Sequence, residues 1–321
     1  MRYALLGASA VAIGGNLEDH HLLARTGEST YPNQDTEPDL SMPRGKIGDL
    51  QVSRLICGGN LISGYSHSRD LMYVSELVNS YNTPEKVMET WQLCEERGIN
   101  TVLSDEREKP REIVQRYRNQ CGGNIQWIAE GHPKSDDITT NLKTTIDAGA
   151  DAIYIQGGVG DRWVKLGRVD LIAEAVEFIK QNGLVAGVGG HSLEVPKAVE
   201  AAGIEPDFYM KTLHSTDYWS FNPADTDYGP FHADTPKSAD NVWCTTPDAT
   251  IEYMRTVERP WIAYKTLAAG AIHPRDAFPF AFENGADFIC VGMFDFQVLE
   301  DSIIARDTLT GELQRERPWY G

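Results

Sequence analysis

Short apolar runs alternate with amphipathic stretches from about residue 52 to the end of the chain. The run Val185–Val188 has no polar side chain, which predicts a strand buried on both faces. Several amphipathic stretches open with Thr-Pro or Asp and close with Gly, the usual start and stop signals of a helix. Eight strands are predicted, at 52–59, 100–105, 125–131, 151–158, 185–190, 207–213, 261–267 and 287–293.

Eight strand–helix units in one chain of 321 residues predict an α/β fold of the (β/α)8 TIM barrel type, over residues 46–321. An open doubly wound sheet is the alternative. It would usually carry a Gly-rich phosphate loop after its first strand, and residues 57–64 do not have the G-x-G-x-x-G spacing. The irregular stretch 214–245 follows the sixth strand, so in a barrel it becomes a long loop over the C-terminal mouth.

The first 45 residues lack this alternation and are predicted to be a signal-like segment followed by a linker. Arg2 precedes a short run of apolar and small residues, as in a secretory signal peptide. This feature favours export to the periplasm. The alternative is a short buried N-terminal helix with a long loop, in a cytoplasmic protein.

Composition narrows the classes of partner. The formal net charge of −18 argues against nucleic acid, because phosphate backbones need a basic face. The five cysteines are odd in number and not in metal-ligand spacing, so no disulfide framework is implied. No segment approaches the roughly 20 apolar residues of an integral membrane span. A small-molecule substrate is the expected partner, and an oligomer is compatible with the sequence.

The order of the predicted strands resembles the aldo/keto reductase superfamily. The resemblance rests on "VSRLICGGNLISG" (52–64), "GINTVLSD" (98–105), "DAIYIQ" (151–156), "VAGVGGHSLEVPKAVEAAG" (185–203), "WIAYKTLAAGAI" (261–272) and "GADFICVGMFDFQVLED" (285–301). It covers nearly everything after residue 50. It implies a TIM barrel and, in ordinary members, carbonyl reduction with NADPH.

The residues that carry reductase chemistry in that family are largely replaced here. The family's Asp, Lys and His positions hold Leu103, Gly131 and Gln156, and its Tyr acid has no counterpart. Gly189-Gly190 stands where a Ser-Asn pair would grip nicotinamide, and Phe294 where a basic residue would bind the NADP phosphate. Tyr264 alone matches a nicotinamide-stacking residue. The resemblance therefore implies a divergent member without the usual catalytic tetrad.

Active sites of TIM barrels lie at the C-terminal ends of the strands, and many polar residues of this chain fall there. The candidate catalytic residues are Glu130, His132, His191, Lys211, His214 and Lys265. The candidate substrate-binding residues are Asp105, Gln156, Tyr218, Trp219 and Tyr264.

Three chemistries fit these residues. His132, His191 and His214 could bind Zn²⁺ or Mn²⁺, although histidines collect at barrel mouths for acid–base work as well. Lys211 or Lys265 could form a Schiff base, unless each pairs with a carboxylate. A nucleotide such as NADP could bind in a changed way on Tyr264. The space beside Gly189 and Gly190 could admit a metal with its water, or a bulky substrate.

The expected function is that of an aldo/keto-reductase-like enzyme acting on a polar carbonyl or carbohydrate compound, by isomerase, epimerase or lyase chemistry. Aromatic residues of the long loop, Tyr218 and Trp219 among them, would suit a lid that stacks on sugar rings. One alternative is an NAD(P)H-dependent oxidoreductase. The other is a non-catalytic binding or scaffold barrel, and convergence of the ionisable groups at one mouth distinguishes an enzyme from it.

Overall fold

The structure is a computed structural model, and it describes residues 41–65, 72–221 and 242–321. A closed barrel of eight parallel strands confirms the predicted (β/α)8 fold. After a first hairpin of β1 (Arg44–Ile47) and β2 (Leu50–Ser53), the barrel strands are β3 (Leu55–Gly58), β4 (Thr101–Asp105), β5 (Gln126–Gly131), β6 (Ala152–Ile155), β7 (Val185–Gly190), β8 (Phe208–Thr212), β9 (Trp261–Tyr264) and β10 (Phe288–Gly292). Each strand pairs with its sequence neighbours, and β10 closes the barrel on β3.

Helices follow the strands as predicted. Within the described residues they are α1 (Met72–Tyr81), α2 (Pro84–Glu96), α3 (Glu108–Gln120), α4 (Thr139–Asp147), α5 (Gly157–Lys165), α6 (Val169–Gln181), α7 (Glu194–Ala201), α8 (Pro247–Met254), α9 (Pro274–Glu283) and α10 (Asp295–Thr310). Gly98, Gly149 and Gly285 follow α2, α4 and α9 with φ of 77°, 90° and 104°. Glycine adopts this left-handed conformation without strain, so the chain leaves the helix and enters the next strand.

The hairpin of β1 and β2 covers the N-terminal end of the barrel. Ile47 and Leu50 join the cluster of side chains inside the barrel, beside Val185 at the start of β7. Gly48, at the turn, has φ of 56°, and a Cβ there would lie 2.6 Å from Val185 Cγ2. This end of the barrel is therefore closed, and the opposite end is the mouth.

Side-chain alternation along each strand decides which residues reach the mouth. Ile128 and Ile262 lie inside the barrel, so Glu130 and Tyr264, two residues further on, also face inward. Tyr209 and Leu213 belong instead to the layer between strands and helices. Lys211 lies between them on β8, so its side chain leaves the barrel wall on the outer face.

Most strands are shorter than predicted, and the early ends of two of them matter for the mouth. β6 ends at Ile155, and α5 begins at Gly157, within the predicted strand 151–158. β9 ends at Tyr264, and Lys265 turns away with φ of 59°. A positive φ is strained for a residue with a side chain, and such strain concentrates at functional sites.

The predicted N-terminal segment and linker, residues 1–45, lie almost wholly outside the described residues, and the signal-like character stays a prediction. Most of the long loop 214–245 does so as well, since residues 222–241 are not described. Among the helices that the structure describes, none is long and apolar enough to cross a membrane.

Candidate active site

His191 at the end of β7 is held by a buried carboxylate. Asp161 of α5 has no exposed side-chain surface, and its Oδ2 lies 2.8 Å from His191 Nδ1. Since a carboxylate accepts, Nδ1 carries the proton and donates it in the hydrogen bond. The backbone N–H groups of His191 and Ser192 also donate to Asp161, at 3.1 and 2.9 Å. Nε2 is therefore the unprotonated nitrogen, and it forms no hydrogen bond among the described residues.

Aromatic rings and a lysine surround this imidazole. The ring centroids of Trp243 and Tyr264 lie 4.9 and 5.4 Å from that of His191. Lys265 places its Nζ 3.9 Å from the centre of the Trp243 ring, which is cation–π geometry. The strained backbone at Lys265 delivers this ammonium to the mouth instead of continuing β9.

Tyr264 has a buried hydroxyl without a hydrogen-bond partner in the described part of the chain. The hydroxyl lies where a side chain at Gly157 would be, because a Cβ built there would lie 2.5 Å from the Tyr264 oxygen and 3.0 Å from His191 Cε1. Burial raises the pKa of Tyr264 well above its usual value, and the charges of Asp161 and Glu130 act in the same direction. The phenol is thus a neutral donor beside the His191 ring.

A second histidine–carboxylate pair is formed by His132, directly after β5, and Glu106, directly after β4. His132 Nδ1 lies 2.8 Å from Glu106 Oε2, and Asn141 donates to the other oxygen of Glu106 at 2.7 Å. The Asn141 side chain also accepts from the His132 backbone N–H at 2.8 Å, which fixes the ring's position. His132 Nε2 faces Glu130 Oε1 at 3.9 Å.

The pKa values of His191 and His132 are shifted in opposite directions. Burial lowers the pKa of His191, and the hydrogen bond to Asp161 opposes that effect only in part. Burial also acts to lower the pKa of His132, but the hydrogen bond to Glu106 and the charges of Glu130 and Glu106 outweigh it and raise the pKa. Two titratable groups pushed apart in this way suit the roles of base and acid.

Glu130 connects the two pairs. Burial raises the pKa of its carboxyl, against the opposing charge of His132, while Lys265 also faces it. Both Glu130 and Asp161 are close enough to perturb Tyr264. Glu130, His132, His191, Lys265 and Tyr264 therefore converge on one mouth.

Two predicted substrate-binding residues have local partners. Asp105 is almost fully buried and receives Arg107 through Nε at 3.0 Å and Nη2 at 3.1 Å, together with the Ser63 hydroxyl. Gln156 caps α5, because its Oε1 accepts from the Val159 N–H at 3.0 Å. Both side chains shape the mouth through these contacts.

His214 is not available to a metal or to a substrate proton. Its Nε2 accepts from the backbone N–H groups of Trp243 and Cys244 at 2.9 and 2.8 Å, and its Nδ1 lies 2.8 Å from the Ser215 carbonyl. Burial lowers its pKa to about 4. The residue ties the two ends of the long loop together, so the expectation that His214 is catalytic or a metal ligand is corrected.

The expected metal triad and the nucleophilic role of Lys211 are likewise not supported by position. No group of three His, Cys, Asp or Glu residues within the described ranges has metal-binding geometry. Lys211 is only 2% exposed, on the outer face of the barrel wall, and its Nζ donates to Thr212. It is therefore separated from the mouth where a Schiff base would form.

The predicted space beside Gly189 and Gly190 is filled. A Cβ at Gly189 would lie 2.7 Å from the Ile155 carbonyl oxygen, and one at Gly190 would lie 2.6 Å from Val195 Cβ. α5 packs so tightly on β7 that a Cβ at Gly160 would lie 2.3 Å from the Gly189 oxygen. These glycines are required by close packing, and that same packing brings Asp161 to His191.

The two aromatic candidates of the long loop differ in exposure. Tyr218 packs edge-on against His214 and Phe221, with ring centroids 5.8 and 5.6 Å apart. Trp219 is 82% exposed. Their predicted part in a sugar-binding lid stays a prediction, since the rest of that loop lies outside the described residues.

Asp161 is absent from the sequence-predicted site residues, and the contacts of Glu106 with His132 and of Trp243 with His191 were not predicted. Asp161 follows Gln156 by five residues, in the helix that the sequence placed after a longer strand. An acidic residue so soon after a strand end was the available signal. Trp243 lies at the end of the long loop, where aromatic residues are frequent and none stands out.

Several solved structures of aldo-keto reductases are similar in fold to this chain. A Pseudomonas aeruginosa protein assigned to the aldo-keto reductases is 15% identical, with a TM-score of 0.55, over 85% of this chain and 96% of its own. A second Pseudomonas aeruginosa structure of that description is 17% identical, with a TM-score of 0.55, over 84% and 98%. An aldo-keto reductase from Bacillus halodurans, in its holo form, is 12% identical, with a TM-score of 0.53, over 86% and 100%.

No family model matches the sequence, and no curated protein matches it. At identities of 12–17% the shared property is the fold. The chain thus has the (β/α)8 barrel fold of the aldo-keto reductases, as the sequence resemblance predicted.

Proposed function

We propose that this chain is a divergent member of the aldo/keto reductase superfamily that moves protons instead of hydride. In this proposal it acts at a carbon next to the carbonyl group of a polar, sugar-like substrate. The observation that carries the proposal is the pair of histidine–carboxylate dyads with opposite pKa shifts at one mouth. Proton abstraction and return require a base that is free of a proton at neutral pH and an acid at the same mouth.

In the first step His191 Nε2 takes the proton from the carbon next to the carbonyl. The electrons of the broken C–H bond form the enolate, and negative charge develops on the former carbonyl oxygen. Lys265 carries the positive charge that stabilises this oxygen, and the Tyr264 hydroxyl is a second donor at the same mouth.

In the second step a proton returns to carbon from His132 Nε2, and the carbonyl re-forms. His191 ends protonated and His132 neutral, and exchange with solvent resets both. Return to the opposite face of the same carbon gives epimerisation, and return to the neighbouring carbon after enediol formation gives isomerisation. Glu130, 3.9 Å from His132 Nε2, serves as the proton reservoir for this acid.

A carbohydrate-like substrate is favoured by the mixture of ring faces and polar groups. Trp243 and Tyr264 offer apolar faces at the mouth, and Glu130, His132 and Lys265 offer hydrogen-bonding groups. Sugars bind to such surfaces through stacking and hydroxyl contacts. Trp219, exposed at the start of the long loop, would extend this surface.

Exchange of substrate protons with solvent tests the proposal. Purified protein is incubated in D2O with a panel of aldoses, ketoses and keto-sugars, without nucleotide, and proton NMR follows loss of the signal next to the carbonyl. We expect exchange by the wild type, and a loss of at least about 100-fold in His191→Gln and Asp161→Asn, the lower limit of the usual range for general-base catalysis. His273→Asn, at the exposed cap of α9, is the matched histidine control and retains exchange.

An NAD(P)H-dependent reductase is the second candidate, favoured by the fold of the structural neighbours and by Tyr264 at the strand seven position. Against it, α5 packs on Gly189 and Val195 of α7 packs on Gly190, where the family's nicotinamide-gripping residues would stand. Titration of NADPH by fluorescence, with aldehydes and ketones present, separates the two candidates. Micromolar binding with NADPH consumption, and no deuterium exchange, would replace the proton-transfer proposal with the reductase one.

A further inference from the structure

Lys211 is a buried cation that the proposed chemistry does not use. The residue is 2% exposed, and its Nζ donates to the Thr212 carbonyl at 3.0 Å and to Thr212 Oγ1 at 2.8 Å. Both acceptors are neutral. An ammonium without a carboxylate in contact is costly to bury, so its presence behind the barrel wall calls for a physical reason.

Thr212 connects this lysine to the backbone of the two aromatic residues at the mouth. Its Oγ1 accepts from Lys211 Nζ, so its own proton is directed to the His191 carbonyl at 3.1 Å or the Trp243 carbonyl at 3.3 Å. His191 and Trp243 are the residues whose rings lie 4.9 Å apart. The hydrogen bonds therefore run from Lys211 through Thr212 to the residue that carries the proposed base.

The charge of Asp161 supplies the second part of the argument. Its carboxylate is fully buried and receives hydrogen bonds from neutral donors, the backbone N–H groups of His191 and Ser192 and the His191 ring. A buried carboxylate is costly in free energy unless a cation compensates its charge. If His191 supplied that cation, it would be an imidazolium and could not accept a proton.

We propose that Lys211 is a positioning residue, whose buried ammonium compensates Asp161 from the outer face of the barrel wall and so leaves His191 as an uncharged proton acceptor. The inference rests on the proposed function, and it deepens that function by naming what sets the state of the base. Lys211 itself touches no substrate. Its role is exerted through its charge on Asp161, and Thr212 holds the ammonium in place.

Other charges face the same groups, and the test must account for them. His191 faces Asp161 from α5, Lys211 from β8, and Lys265 after β9. Lys211 faces Asp161 and the Cys244 thiol, and its charge also reaches His214. Burial lowers the pKa of Lys211, so the charge of this ammonium must itself be measured.

NMR titration of the histidine rings in the full chain tests the proposal without a substrate. The His191 signals are identified by their loss in His191→Gln. Removal of the charge in Lys211→Met is expected to raise the protonation constant of His191 about tenfold. An effect of this order of magnitude is expected when a nearby unit charge is removed from a protein interior. Lys211→Arg keeps the charge and is expected to stay within about twofold of the wild type.

Two further measurements keep the test decisive. Thr212→Val removes the hydroxyl and retains the charge, so the His191 titration should be nearly unchanged; a shift as large as in Lys211→Met would overturn the charge argument. If Lys211→Met does not fold, the wild-type Nζ signal is read directly. An ammonium at neutral pH supports the proposal, and a neutral amine overturns it.

An unchanged His191 titration in a folded Lys211→Met protein would also overturn the proposal, because a merely structural lysine would lower stability without moving this equilibrium. The failure of the proposed function is distinguishable, since it appears as absent deuterium exchange while the NMR shift persists. Where the wild type catalyses deuterium exchange, the acid limb of the pH–rate profile is expected to move to higher pH in Lys211→Met, by about one pH unit, which corresponds to the tenfold change in the protonation constant.

Discussion

At the closed end of the barrel the buried charges have charged partners, although Arg315 Nε there forms no hydrogen bond to a described residue, whereas at the mouth several buried polar groups have no partner among the described residues. Asp287, directly before β10, accepts from Arg317 Nη1 at 2.6 Å, Arg315 Nη2 at 3.0 Å and the Trp261 backbone at 2.9 Å. The remaining donors of Arg317 reach the backbone carbonyls of Met254, Val257, Arg259 and Gly285.

At the mouth, buried polar residues lack such hydrogen-bond partners among the described residues. His191 Nε2 forms no hydrogen bond to a described residue, and the Tyr264 and Thr266 hydroxyls are buried without one. Glu130 keeps a carboxyl whose ionisation burial disfavours. Unmet hydrogen-bonding capacity lowers stability. We infer that the closed end secures the fold, and that the mouth retains groups whose partners arrive with a ligand.

The largest expected effect is at the closed end. Asp287→Asn removes the charge that Arg315 and Arg317 face, and breaking a buried ion pair from one side costs about 3–5 kcal/mol. Urea-induced unfolding measures the loss. Asp49→Asn, in an exposed ion pair with Lys46, is the control and should leave the unfolding curve unchanged. A small effect of Asp287→Asn would remove the contrast between the two ends.

His214 tests whether a residue near the mouth can behave like those at the closed end. Its folded-state pKa of about 4 lies below the usual 6.5, so the unfolded chain binds the proton first. Its contribution to stability is therefore fully present above about pH 6.5 and is lost as pH falls toward 4, by on the order of 3 kcal/mol.

Denaturant curves between these pH values measure this loss. In His214→Asn the acid-induced loss should shrink, and in His273→Asn it should persist. An unchanged pH dependence in His214→Asn would show that other groups control the acid limb.

A gain of stability is expected at Glu130. Burial raises its pKa above the usual 4.5, so this carboxyl opposes folding wherever it is ionised in the unfolded chain, which includes neutral pH. Glu130→Gln should be more stable by roughly 0.5–2 kcal/mol at pH 7, as for other relieved functional sites. The difference from the wild type should vanish as pH falls below about 4.5, where the wild-type carboxyl is protonated.

Unfolding of Glu130→Gln at several pH values measures the gain, and deuterium exchange measures the loss of function. A destabilised Glu130→Gln protein would mean that this carboxylate already has a structural partner. The mouth would then resemble the closed end.

The smallest effect is expected at Tyr264. Tyr264→Phe removes a buried hydroxyl that has no described partner. The free energy of unfolding should therefore stay the same or rise by less than about 1 kcal/mol. Deuterium exchange should slow, because a donor at the enolate oxygen is lost. A fall in stability of more than about 2 kcal/mol would show that the hydroxyl is hydrogen-bonded in the fold.

Most of the fold was predictable because its signals are local. Strand-forming runs, Thr-Pro helix starts and terminal glycines such as Gly98 and Gly149 each act within a few residues. The ends of β6 and β9 were misplaced, since Gly157 and Lys265, at which the backbone already turns, were assigned to the strands that precede them. Local pattern does not show that a Gly-Gly pair opens a helix.

The sequence placed four of its six candidate catalytic residues where they lie in the structure, at the mouth, but it did not show their pairings. Glu130, His132, His191 and Lys265 do meet at the mouth, as strand order implied. Lys211 was assigned to the mouth because strands buried on both faces give no sign of which side chains face inward. Its place beside Tyr209 in the outer layer follows from the barrel alone.

By itself the sequence determined the barrel, through eight buried strands and the helices between them, and with it the set of polar residues at the strand ends. The tertiary structure decided which partner each of these polar residues has and how deeply it is buried. Asp161 meets His191 across 30 positions because Gly160 and Gly189 let α5 approach β7. His214 is bound by backbone 29 and 30 residues further on. Such partners are brought together by packing between distant elements, and packing sets the burial and charge that tune a histidine.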